Sequence, residues 1–439
     1  MPKLKDRTTL KVVYLPISEI QKYSGNAKLH SDKQVSQIVK SIKRFDFINP
    51  ILIDEKSIII AGHGRLEAAI GAGLDKVPVI QIKHLTEAEK KAYRIADNKL
   101  TELGDWDIGK LQLEFEAIES LDVELDFEIT GFNSGELDVL MDNACPKADP
   151  QKNSIPFIPD DEIVSKEGDI WELGKHRIIC GNSLVRDTFS NLMQGKKATM
   201  VFTDPPYNLS TDDICGGGAI KHEDFKFAHG EMSSTEFQQF LKSSFMLLKE
   251  FSTSGSLHYL CIDWKHVKEM SYAGADVYAE LKNICVWNKT NAGMGSLYRS
   301  KHEFVFVYKN GKDKHINNIE LGVNGRYRTN VWDYAGVNTF GGERNNLVMH
   351  PCVKPVELLK DAILDASNRG DIILDSFLGS GSTLIAAEMC KRVCYGIELE
   401  AKYIDTAIRR FETLTKQDAI HIDSGRTYQE LLKNKKEGK

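Results

Sequence analysis

The pattern of apolar and polar positions along the chain predicts two structural units. In the first, apolar residues recur at helical spacing between 35 and 42, which predicts a helix from a cap at Ser31 to about Phe45. Shorter patterns predict the neighbouring elements, with strands over 10–15, 51–54, 57–61 and 77–82 and helices over 66–70 and 87–100. This mixture indicates a compact α+β unit over about 11–83.

The second unit shows strands that alternate with helices. Apolar runs predict strands over 198–203, 257–262, 284–287, 304–308, 372–374 and 394–399, a hairpin over 171–181 and a helix over 382–389. Alternation of this kind is typical of a mostly parallel sheet with helices packed on its faces. We therefore expect an α/β, Rossmann-like fold downstream of the smaller unit.

The stretch between the two units is acidic. Residues 101–142 contain 13 acidic residues and one basic residue. We expect a helix with Leu111, Phe115 and Ile118 on one face, followed by an edge strand over 121–130. This stretch could shield the second unit or contact a partner, but a solvated face is the simpler interpretation.

The distribution of charge bears on DNA binding, and the distribution of prolines bears on the domain boundary. Residues 282–354 contain 11 basic and five acidic residues. Because nucleic-acid affinity depends on local charge, the overall net charge of −6 does not exclude a DNA-binding protein. Four prolines and few apolar residues from Pro146 to Pro159 predict an interdomain linker.

A rigid loop ends the strand predicted over 198–203. Asp204-Pro205-Pro206-Tyr207 cannot continue a strand, because each proline fixes its own φ and removes a backbone donor. A carboxylate and a freed carbonyl could accept the two N–H bonds of an exocyclic base amine, and an aromatic ring could stack on a base that has left the duplex. The motif favours amine methylation, although Asp-Pro and Pro-Pro are also common turn dipeptides.

A later strand–loop–helix stretch has the pattern of a nucleotide-type cofactor site. Asp375 ends one strand, Gly379 and Gly381 form a tight loop, and Glu398 ends the next strand. Glycines let a ligand approach the backbone, and an acid about 20 residues later can accept ribose hydroxyls. The loop alone is a weak indication, because it is not a complete Gly-x-Gly-x-x-Gly motif. Its spacing from Asp375, directly after the strand, strengthens the prediction of a cofactor site.

The two motifs together resemble the DNA amino-methyltransferases, which take a methyl group from S-adenosylmethionine. Their order, with Asp-Pro-Pro-Tyr first and Phe-Leu-Gly-Ser-Gly-Ser-Thr near the C-terminus, resembles the β class of that family. Further segments match at 181–183, 286–304 and 350–355, although Asn182 stands where the family usually has Asp. The resemblance covers about 165–415.

This resemblance implies an S-adenosylmethionine-dependent enzyme that methylates adenine N6 in double-stranded DNA, in a restriction–modification setting. Cytosine N4 is the alternative, although the family's cytosine members more often carry Ser at the position of Asp204. The implied catalytic residues are Asp204, Pro205, Pro206 and Tyr207. The implied cofactor-binding residues are Asp375, Phe377, Gly379, Gly381, Thr383, Glu398, Asn182 and Lys354.

A segment rich in arginine and aromatic residues is predicted to recognise the DNA target. Residues 312–346 show no clear core pattern, and such side chains suit base-edge and stacking contacts. The alternative is a solvated surface with scattered Lys and Arg. The predicted DNA-binding residues are Arg326, Arg328 and Arg344.

A glycine-rich helix start lies in the first unit. Gly62-His63-Gly64-Arg65 could hold phosphate through backbone N–H groups and a guanidinium. The surrounding residues, about 10–105, resemble ParB-like nuclease and partition domains, which implies a nucleoside triphosphate with Mg²⁺ at Gly62, Arg65 and Asn98. The alternative is a capped helix with Arg65 in a surface ion pair. A ParB-like DNA-binding or nucleotide-switched module with an inactive methylase is therefore the rival to an enzyme.

Other features limit the remaining classes. The eight cysteines include no Cys-x-x-Cys pair, so we expect buried thiols and no metal site. No apolar run approaches the roughly 20 residues of a membrane helix, and the N-terminus lacks an apolar signal core. We expect a cytoplasmic protein encoded by a bacterium, phage or mobile element, with a homodimer left open.

These observations define the expected domains. They are a ParB-like domain over 8–105, an acidic connector and linker over 106–160, a DNA methyltransferase domain over 161–420 and a C-terminal tail over 421–439. We expect the tail to be disordered, because it is short and rich in lysine.

Overall fold

The computed structural model describes residues 10–121, 125–142, 156, 158–208, 231–290, 297–319, 322, 326–336 and 353–438. The chain divides into two units, Met1–Met141 and Asp142–Lys439. Each unit contains its own sheet and its own apolar core.

The N-terminal unit contains a four-stranded sheet of order β1-β4-β2-β3. Its strands are β1 (Val12–Pro16), β2 (Ile51–Ile53), β3 (Ile59–Ala61) and β4 (Lys76–Gln81). Its first helices are α1 (Asp32–Phe45), α2 (His63–Gly71) and α3 (Glu87–Thr101). The predicted α+β unit is confirmed.

Side-chain caps set the starts of two of these helices. The Ser31 side chain accepts a hydrogen bond from the Gln34 backbone N–H at 3.2 Å, which begins α1. Thr86 and Glu89 form the reciprocal contacts of a capping box at α3. Both helix starts agree with the predictions.

Residues after α3 fold into helices. Helix α4 covers Ile108–Ser120, a 3-10 turn covers Phe127–Thr130 and α5 covers Ser134–Asp142. Phe115 of α4 is buried and packs with Leu137 and Leu140 of α5. The predicted helix is confirmed, with Phe115 at its centre.

The edge strand predicted over 121–130 is wrong for the described part of that range. Asp126 accepts a hydrogen bond from the Glu128 backbone N–H at 3.0 Å and so caps a helical turn. Lys40 of α1 binds Glu128 at 2.6 Å and Asp126 at 3.0 Å. Part of the acidic stretch is thus tied to α1, whereas most of the linker predicted between Pro146 and Pro159 lies outside the described residues.

The second unit contains a ten-stranded sheet with helices on both faces. Its strands are β5 (Ile170–Leu173), β6 (His176–Cys180), β7 (Ala198–Thr203), β8 (Ser252–Ile262), β9 (Glu280–Asn288), β10 (His302–Lys309), β11 (Val331–Asp333), β12 (Ile372–Asp375), β13 (Val393–Glu398) and β14 (Ala419–His421). Its helices are α6 (Arg186–Met193), α7 (Ser234–Glu250), α8 (Val267–Val277), α9 (Val356–Ala366), α10 (Ser382–Met389), α11 (Ala401–Thr415) and α12 (Tyr428–Lys436).

Parallel strands form the centre of this sheet. The strand order is β11-β9-β10-β8-β7-β12-β13-β6-β5-β14, and the five strands from β8 to β6 run parallel. Antiparallel pairs join β8 to β10, β10 to β9, β6 to β5 and β5 to β14. The α/β, Rossmann-like fold is confirmed, and the antiparallel pairs lie outside its parallel centre.

The order of the parallel strands creates a switch point between β7 and β12. The chain leaves β7 toward β8 on one side and leaves β12 toward β13 on the other side. Connections that diverge in this way open a crevice at the carboxyl ends of the two strands, which is where open α/β sheets bind ligands.

Side chains that alternate along the central strands fill two cores. Met200 and Phe202 of β7 pack in one apolar cluster, and Val201 packs in the other. In β12, Ile373 and Leu374 divide between the clusters in the same way. Because successive side chains of a strand point to opposite faces, each strand packs against the helices on both sides of the sheet.

The C-terminal tail is a helix, so the prediction of disorder is wrong. Thr427 and Glu430 form a capping box at the start of α12, and Tyr428 is completely buried. The Tyr428 hydroxyl donates to Asp405 of α11 at 3.3 Å. One buried aromatic residue and a proper cap therefore outweigh the lysine-rich composition.

The described cysteines are buried thiols, in agreement with the prediction. They are Cys180, Cys261, Cys285, Cys390 and Cys394. Among the described residues, no helix is both long and apolar enough to cross a membrane.

Candidate active site

The Asp-Pro-Pro-Tyr loop lies at the switch point of the large sheet. It follows Thr203, the last residue of β7, and β7 pairs with β12 in parallel register. The Thr203 hydroxyl donates to Asp375 at the end of β12, with an oxygen–oxygen distance of 2.8 Å. This buried hydrogen bond joins the predicted catalytic strand to the predicted cofactor strand.

Both carboxylate oxygens of Asp204 are engaged. The Tyr207 hydroxyl donates to Oδ1, and the Lys354 ammonium donates to Oδ2. The Lys354 Nζ also lies 3.0 Å from the Tyr207 hydroxyl and 2.9 Å from Glu303 Oε2. Lys289 binds the other oxygen of Glu303. We call these five residues the Asp204 cluster.

Opposing charges control the protonation of this cluster. Burial raises the pKa of Asp204, and the neighbouring Glu303 adds to this effect against the attraction of Lys354. Burial also opposes ionisation of Glu303, but its ion pairs with Lys354 and Lys289 lower its pKa to about 2. Glu303 is therefore ionised near neutral pH, and Asp204 accepts a proton more easily than Glu303 does.

Asp375 holds the cofactor loop to the strand end. Besides Thr203, it accepts from the Thr383 hydroxyl at 2.6 Å and from the Phe377 backbone N–H at 3.1 Å. Burial raises its pKa to about 6, despite these three donors. Asp375 and Thr383 are both buried, and the contacts described here link them to protein atoms of the loop.

The glycine loop brings its backbone toward Glu398. The Gly379 N–H donates to Glu398 Oε2 at 2.8 Å, and the Glu400 N–H donates to Oε1 at 2.8 Å. Burial raises the pKa of the Glu398 carboxyl to about 7. Glu398 is thus a partly buried acceptor at the mouth of the loop, a position that suits ribose hydroxyls.

Gly381 allows close packing beneath the loop. Its φ is +84°, and an added Cβ would lie 2.7 Å from the Cβ of Ala407 on α11. Arg410, also on α11, donates to the Ser380 carbonyl at 2.7 Å. The loop is therefore built in advance by its own packing. This supports the prediction of a cofactor cradle.

Asn182 reaches the same sheet edge from β6. β6 and β13 pair in parallel, with Cys180 opposite Glu398, and the Gly181 N–H donates to the Glu398 carbonyl at 2.8 Å. The exposed Asn182 side chain accepts from the Leu184 N–H at 2.8 Å. The structure therefore brings Asn182 beside the glycine loop, whereas it brings Lys354 to Asp204.

The arginines predicted to read bases, Arg326 and Arg328, contact helix α9. Arg326 binds Asp365 at 2.8 Å, and Arg328 binds the same carboxylate at 3.0 Å. Both also contact Asp361, and Arg328 donates to the Tyr334 hydroxyl at 3.0 Å. These contacts correct the predicted role, because the two guanidinium groups serve α9. Arg344 lies outside the described residues.

Aromatic and basic residues are exposed near the Asp204 cluster. Trp264 follows β8, the neighbour of β7, and its side chain is 49 % exposed. Tyr298 is 84 % exposed and precedes β10, whose residue His302 pairs with Asn288 of β9. Basic residues accompany them at Lys265, Lys268, Arg299 and Lys301, all exposed. The strand pairing places these connections at the edge that carries Asp204.

The N-terminal Gly-x-x-Arg turn has an unusual helix start. Gly62 has a φ of +104°, and no side chain caps α2 in its described contacts. Arg65 donates to the Asn49 carbonyl at 3.3 Å, and burial lowers its pKa. Asn98 donates to the Arg94 carbonyl at 2.9 Å. The turn therefore offers backbone donors and a half-buried cation, while Asn98 supports its own helix.

Sequence reasoning assigned no role to Glu303 or Lys289. Lys289 directly follows β9 and Glu303 lies near the start of β10, so both stand where their strands meet the ligand-binding edge. Their charge and their position at the predicted strand ends could have identified both residues as candidates for the site. Their connection to Asp204 through Lys354 depends on the order of four strands, which the sequence pattern did not reveal.

Family models match most of the chain in three blocks. Residues 198–409 match a DNA methylase model, residues 2–99 match the ParB N-terminal domain, and residues 109–167 match a ParB-methyltransferase helix-turn-helix domain. The third block includes most of α4 and all of α5, so these helices are similar to part of that helix-turn-helix domain.

Individual relatives divide in the same way. The ParB-like nuclease domain-containing protein YnaK of Escherichia coli is 52% identical over 82 residues, which are 19% of this chain and 94% of that protein. The type II methyltransferase M2.LlaDCHI of Lactococcus lactis is 30% identical over 51% of this chain and 86% of its own length. The DNA adenine methyltransferase YhdJ of Escherichia coli is 40% identical over 93 residues, which cover 21% of this chain and 31% of YhdJ.

Proposed function

We propose that this chain, which belongs to the family of DNA amino-methyltransferases and carries a ParB-like N-terminal domain, methylates adenine N6 in double-stranded DNA. The observation that carries the proposal is the Asp204 carboxylate at the switch point, joined through Thr203 to the cofactor loop. S-adenosylmethionine, when bound, supplies an electrophilic methyl group. The residues around it determine which nucleophile can reach that group.

Asp204 and Pro205 would activate the amine. The lone pair of an exocyclic amine is delocalised into the base, so the amine is a weak nucleophile. One N–H donated to the Asp204 carboxylate and one to the Pro205 carbonyl would localise the lone pair on nitrogen. Asp204 would then take the proton that the amine loses, and its raised pKa suits that step. Pro206 keeps the loop rigid, and the Tyr207 ring would stack on the extruded base.

The second motif fits S-adenosylmethionine. Glu398 would accept hydrogen bonds from the ribose hydroxyls, because its carboxylate borders the Gly379 backbone. Gly379 and Gly381 would leave room for the ligand, and Phe377 and Asn182 would border it. Asp375 and Thr383 would act by holding the loop, since they bind each other at 2.6 Å.

Adenine is favoured over cytosine as the base. The carboxylate at Asp204 distinguishes this chain from the cytosine-N4 members of the family, which more often carry Ser there. The name of YhdJ also gives adenine as that relative's substrate. A ParB-like DNA-binding module with an inactive methylase is less well supported, because both motifs are intact.

Double-stranded DNA would approach the edge that carries Asp204. Trp264 and Tyr298 are exposed aromatic residues in connections at that edge, and exposed lysines and arginines accompany them. Aromatic rings can stack on bases, and cations bind the phosphate backbone. Recognition over 312–346 remains a proposal for the residues that do not pair with α9. We propose a location in the bacterial cytoplasm, because a DNA substrate is found there.

Two further proposals concern the N-terminal unit and the assembly. The uncapped start of α2 and the half-buried Arg65 suit the phosphates of a nucleoside triphosphate, with Mg²⁺ bound to the nucleotide. A homodimer and the domain boundaries 8–105, 106–160 and 161–420 also remain proposals. Light scattering on the purified chain tests the assembly directly.

The modified base tests the proposed function. DNA from cells that express the chain is digested to nucleosides and analysed by mass spectrometry, with DNA from cells carrying an empty vector as the control. We expect N6-methyladenine to appear. N4-methylcytosine alone would show that the base is wrong, and the absence of both bases would favour the inactive-methylase alternative.

A further inference from the structure

The Lys354 ammonium binds the Asp204 carboxylate, which is the group proposed to accept a hydrogen bond from the target amine. Asp204 Oδ2 accepts from Lys354, and Oδ1 accepts from the Tyr207 hydroxyl. An incoming amine would therefore compete with one of these donors for an Asp204 oxygen. Lys354 also lies 2.9 Å from Glu303 Oε2, so a second carboxylate is already in place to keep the ammonium.

These contacts are too well buried to be an ordinary surface ion pair. The Lys354 side chain is 6 % exposed, and that of Glu303 is 13 % exposed. Burying charges costs more free energy than packing apolar residues of similar size, so a buried ion-pair network is weak evidence for stability. Perturbed ionisation in a ligand crevice points instead to a functional site.

Four separate chain segments meet in this cluster. Asp204 and Tyr207 follow β7, Lys289 follows β9, Glu303 belongs to β10 and Lys354 precedes α9. Trp287 of β9 flanks both cations, because its ring centre lies 4.7 Å from Lys289 Nζ and 5.7 Å from Lys354 Nζ. An ammonium that leaves Asp204 would thus remain beside Glu303 and an aromatic face.

We propose that Lys354 and Glu303 are positioning residues that hold Asp204 ready for the base, with Glu303 keeping the ammonium when the amine takes its place on Asp204. This inference rests on the proposed function. Lys289 supports the exchange by keeping Glu303 ionised through its own ion pair. The role differs from the cofactor contact that the sequence resemblance implied for Lys354.

The exchange predicts opposite effects of two substitutions on Asp204. Lys354→Met removes the cation that favours ionised Asp204, so Asp204 should titrate at a higher pH. Glu303→Gln removes a neighbouring anion and leaves Lys354 to Asp204 alone, so Asp204 should titrate at a lower pH. A charge at this distance shifts a pKa by about one unit or more. Among the described residues, Tyr207, Cys261 and Asp375 also interact with Asp204, and Lys289 acts on Glu303.

Carbon-13 NMR of the carboxyl groups tests these shifts without any need for activity. The signal that disappears in Asp204→Asn identifies Asp204, and Lys282→Met serves as the control because Lys282 pairs with Glu280. We expect Lys354→Met and Glu303→Gln to move the Asp204 midpoint in opposite directions. Movement in the same direction, or no movement in either variant, would overturn the inference. Should Lys354→Met not fold, Lys354→Gln removes the charge with a polar side chain and carries the same prediction.

Kinetics complete the test on the full-length chain. The acid limb of kcat/KM should follow the two NMR midpoints. Glu303→Gln should lower kcat at its best pH by at least tenfold, because the ammonium then stays on Asp204, while calorimetry shows unchanged S-adenosylmethionine affinity. Lys354→Arg should recover part of the wild-type profile. Wild-type protein that methylates no DNA would contradict the proposed function, and the NMR result would still decide the pairing.

Discussion

Gly381 shows how one position combines backbone conformation with packing. Its φ of +84° disfavours any side chain, and a Cβ would lie 2.7 Å from Ala407. Gly370 has a similar φ of +80° but no atom within 4 Å of an added Cβ, so it separates the two effects.

We predict that Gly381→Ala lowers the free energy of unfolding by about 1–3 kcal/mol more than Gly370→Ala does, because only Gly381 adds a steric clash. Urea denaturation of the two variants measures the difference. Gly381→Ala should also weaken S-adenosylmethionine binding, since α11 and the loop must separate. Equal losses of stability in both variants would show that packing against Ala407 contributes nothing.

Glu398 should make cofactor binding depend on pH. Burial raises its pKa to about 7, so the unliganded carboxyl is largely protonated below that pH, whereas an unfolded glutamate would be ionised. The raised pKa therefore favours the folded, unliganded protein as pH falls from 7 toward 5. Hydroxyl donors and a positive sulfonium favour the ionised form.

We predict that S-adenosylmethionine affinity falls as pH drops below about 7, approaching tenfold per pH unit. Titration calorimetry in buffers with different ionisation enthalpies should also detect proton release on binding near pH 6. Glu398→Gln should remove both effects, and Glu400→Gln should retain them. Wild-type affinity that stays constant between pH 5.5 and 8 would contradict this role.

At the scale of single elements, the sequence predicted those whose signals are local. The capping box at Thr86, the α10 range over 382–389 and the strand before Asp204 depend on neighbouring residues, and the structure has them as predicted. The edge strand over 121–130 was wrong in its described part because the Asp126 side chain caps a helical turn, which the alternating pattern does not reveal. The terminal helix was missed because composition was given more weight than its cap.

The contacts of Arg326 and Arg328 could not be read from the sequence. Both residues lie more than 30 positions before their partners on α9, and an isolated arginine near aromatic residues looks the same whether it binds DNA or a buried aspartate. Asp365 is 4 % exposed, so each guanidinium compensates a buried charge. The two arginines therefore belong to the fold.

We predict that Arg328→Met lowers the free energy of unfolding by about 1–3 kcal/mol, because Asp365 loses a charged partner while keeping Arg326. It should leave the methylated sequence unchanged. Arg299→Met is the matched comparison, since Arg299 is exposed in a connection at the sheet edge that carries Asp204. It should change stability by less than about 0.5 kcal/mol and lower the salt dependence of DNA binding by about one ion. Urea denaturation, salt titrations and methylation mapping measure these effects, and an altered target sequence in Arg328→Met would restore the base-reading role.

The whole molecule joins a methylase to a ParB-like domain and a helical connector. Apolar patterns predicted the folds of both units, and the two motifs and their order indicated the class of methylase. The Asp204 cluster could not be predicted from the sequence, because Lys354 and Asp204 are 150 residues apart and are brought together by the strand order. Sequence motifs indicate where strands end, but the order of the strands in the sheet determines which ends are adjacent.

The N-terminal domain gives a prediction that is independent of methylation. Nucleoside triphosphate with Mg²⁺ should raise its melting temperature by several degrees, because a ligand that binds only the folded state stabilises it. Arg65→Ala should abolish the shift, and Arg44→Ala, at an exposed position on α1, should retain it. Differential scanning fluorimetry measures both variants. An absence of any shift in the wild type would leave the Gly62–Arg65 turn with a structural role alone.

The most direct test of the central claim is methyl transfer by Asp204→Asn. Transfer of labelled methyl groups from S-adenosylmethionine to DNA is measured together with cofactor binding, and Asp276→Asn, on an exposed part of α8, is the control. Because Asp204 meets the base amine, the variant should lose at least about 100-fold in turnover, the range of general acid–base contributions, while its cofactor affinity stays near that of the wild type. Wild-type turnover in Asp204→Asn would contradict the account.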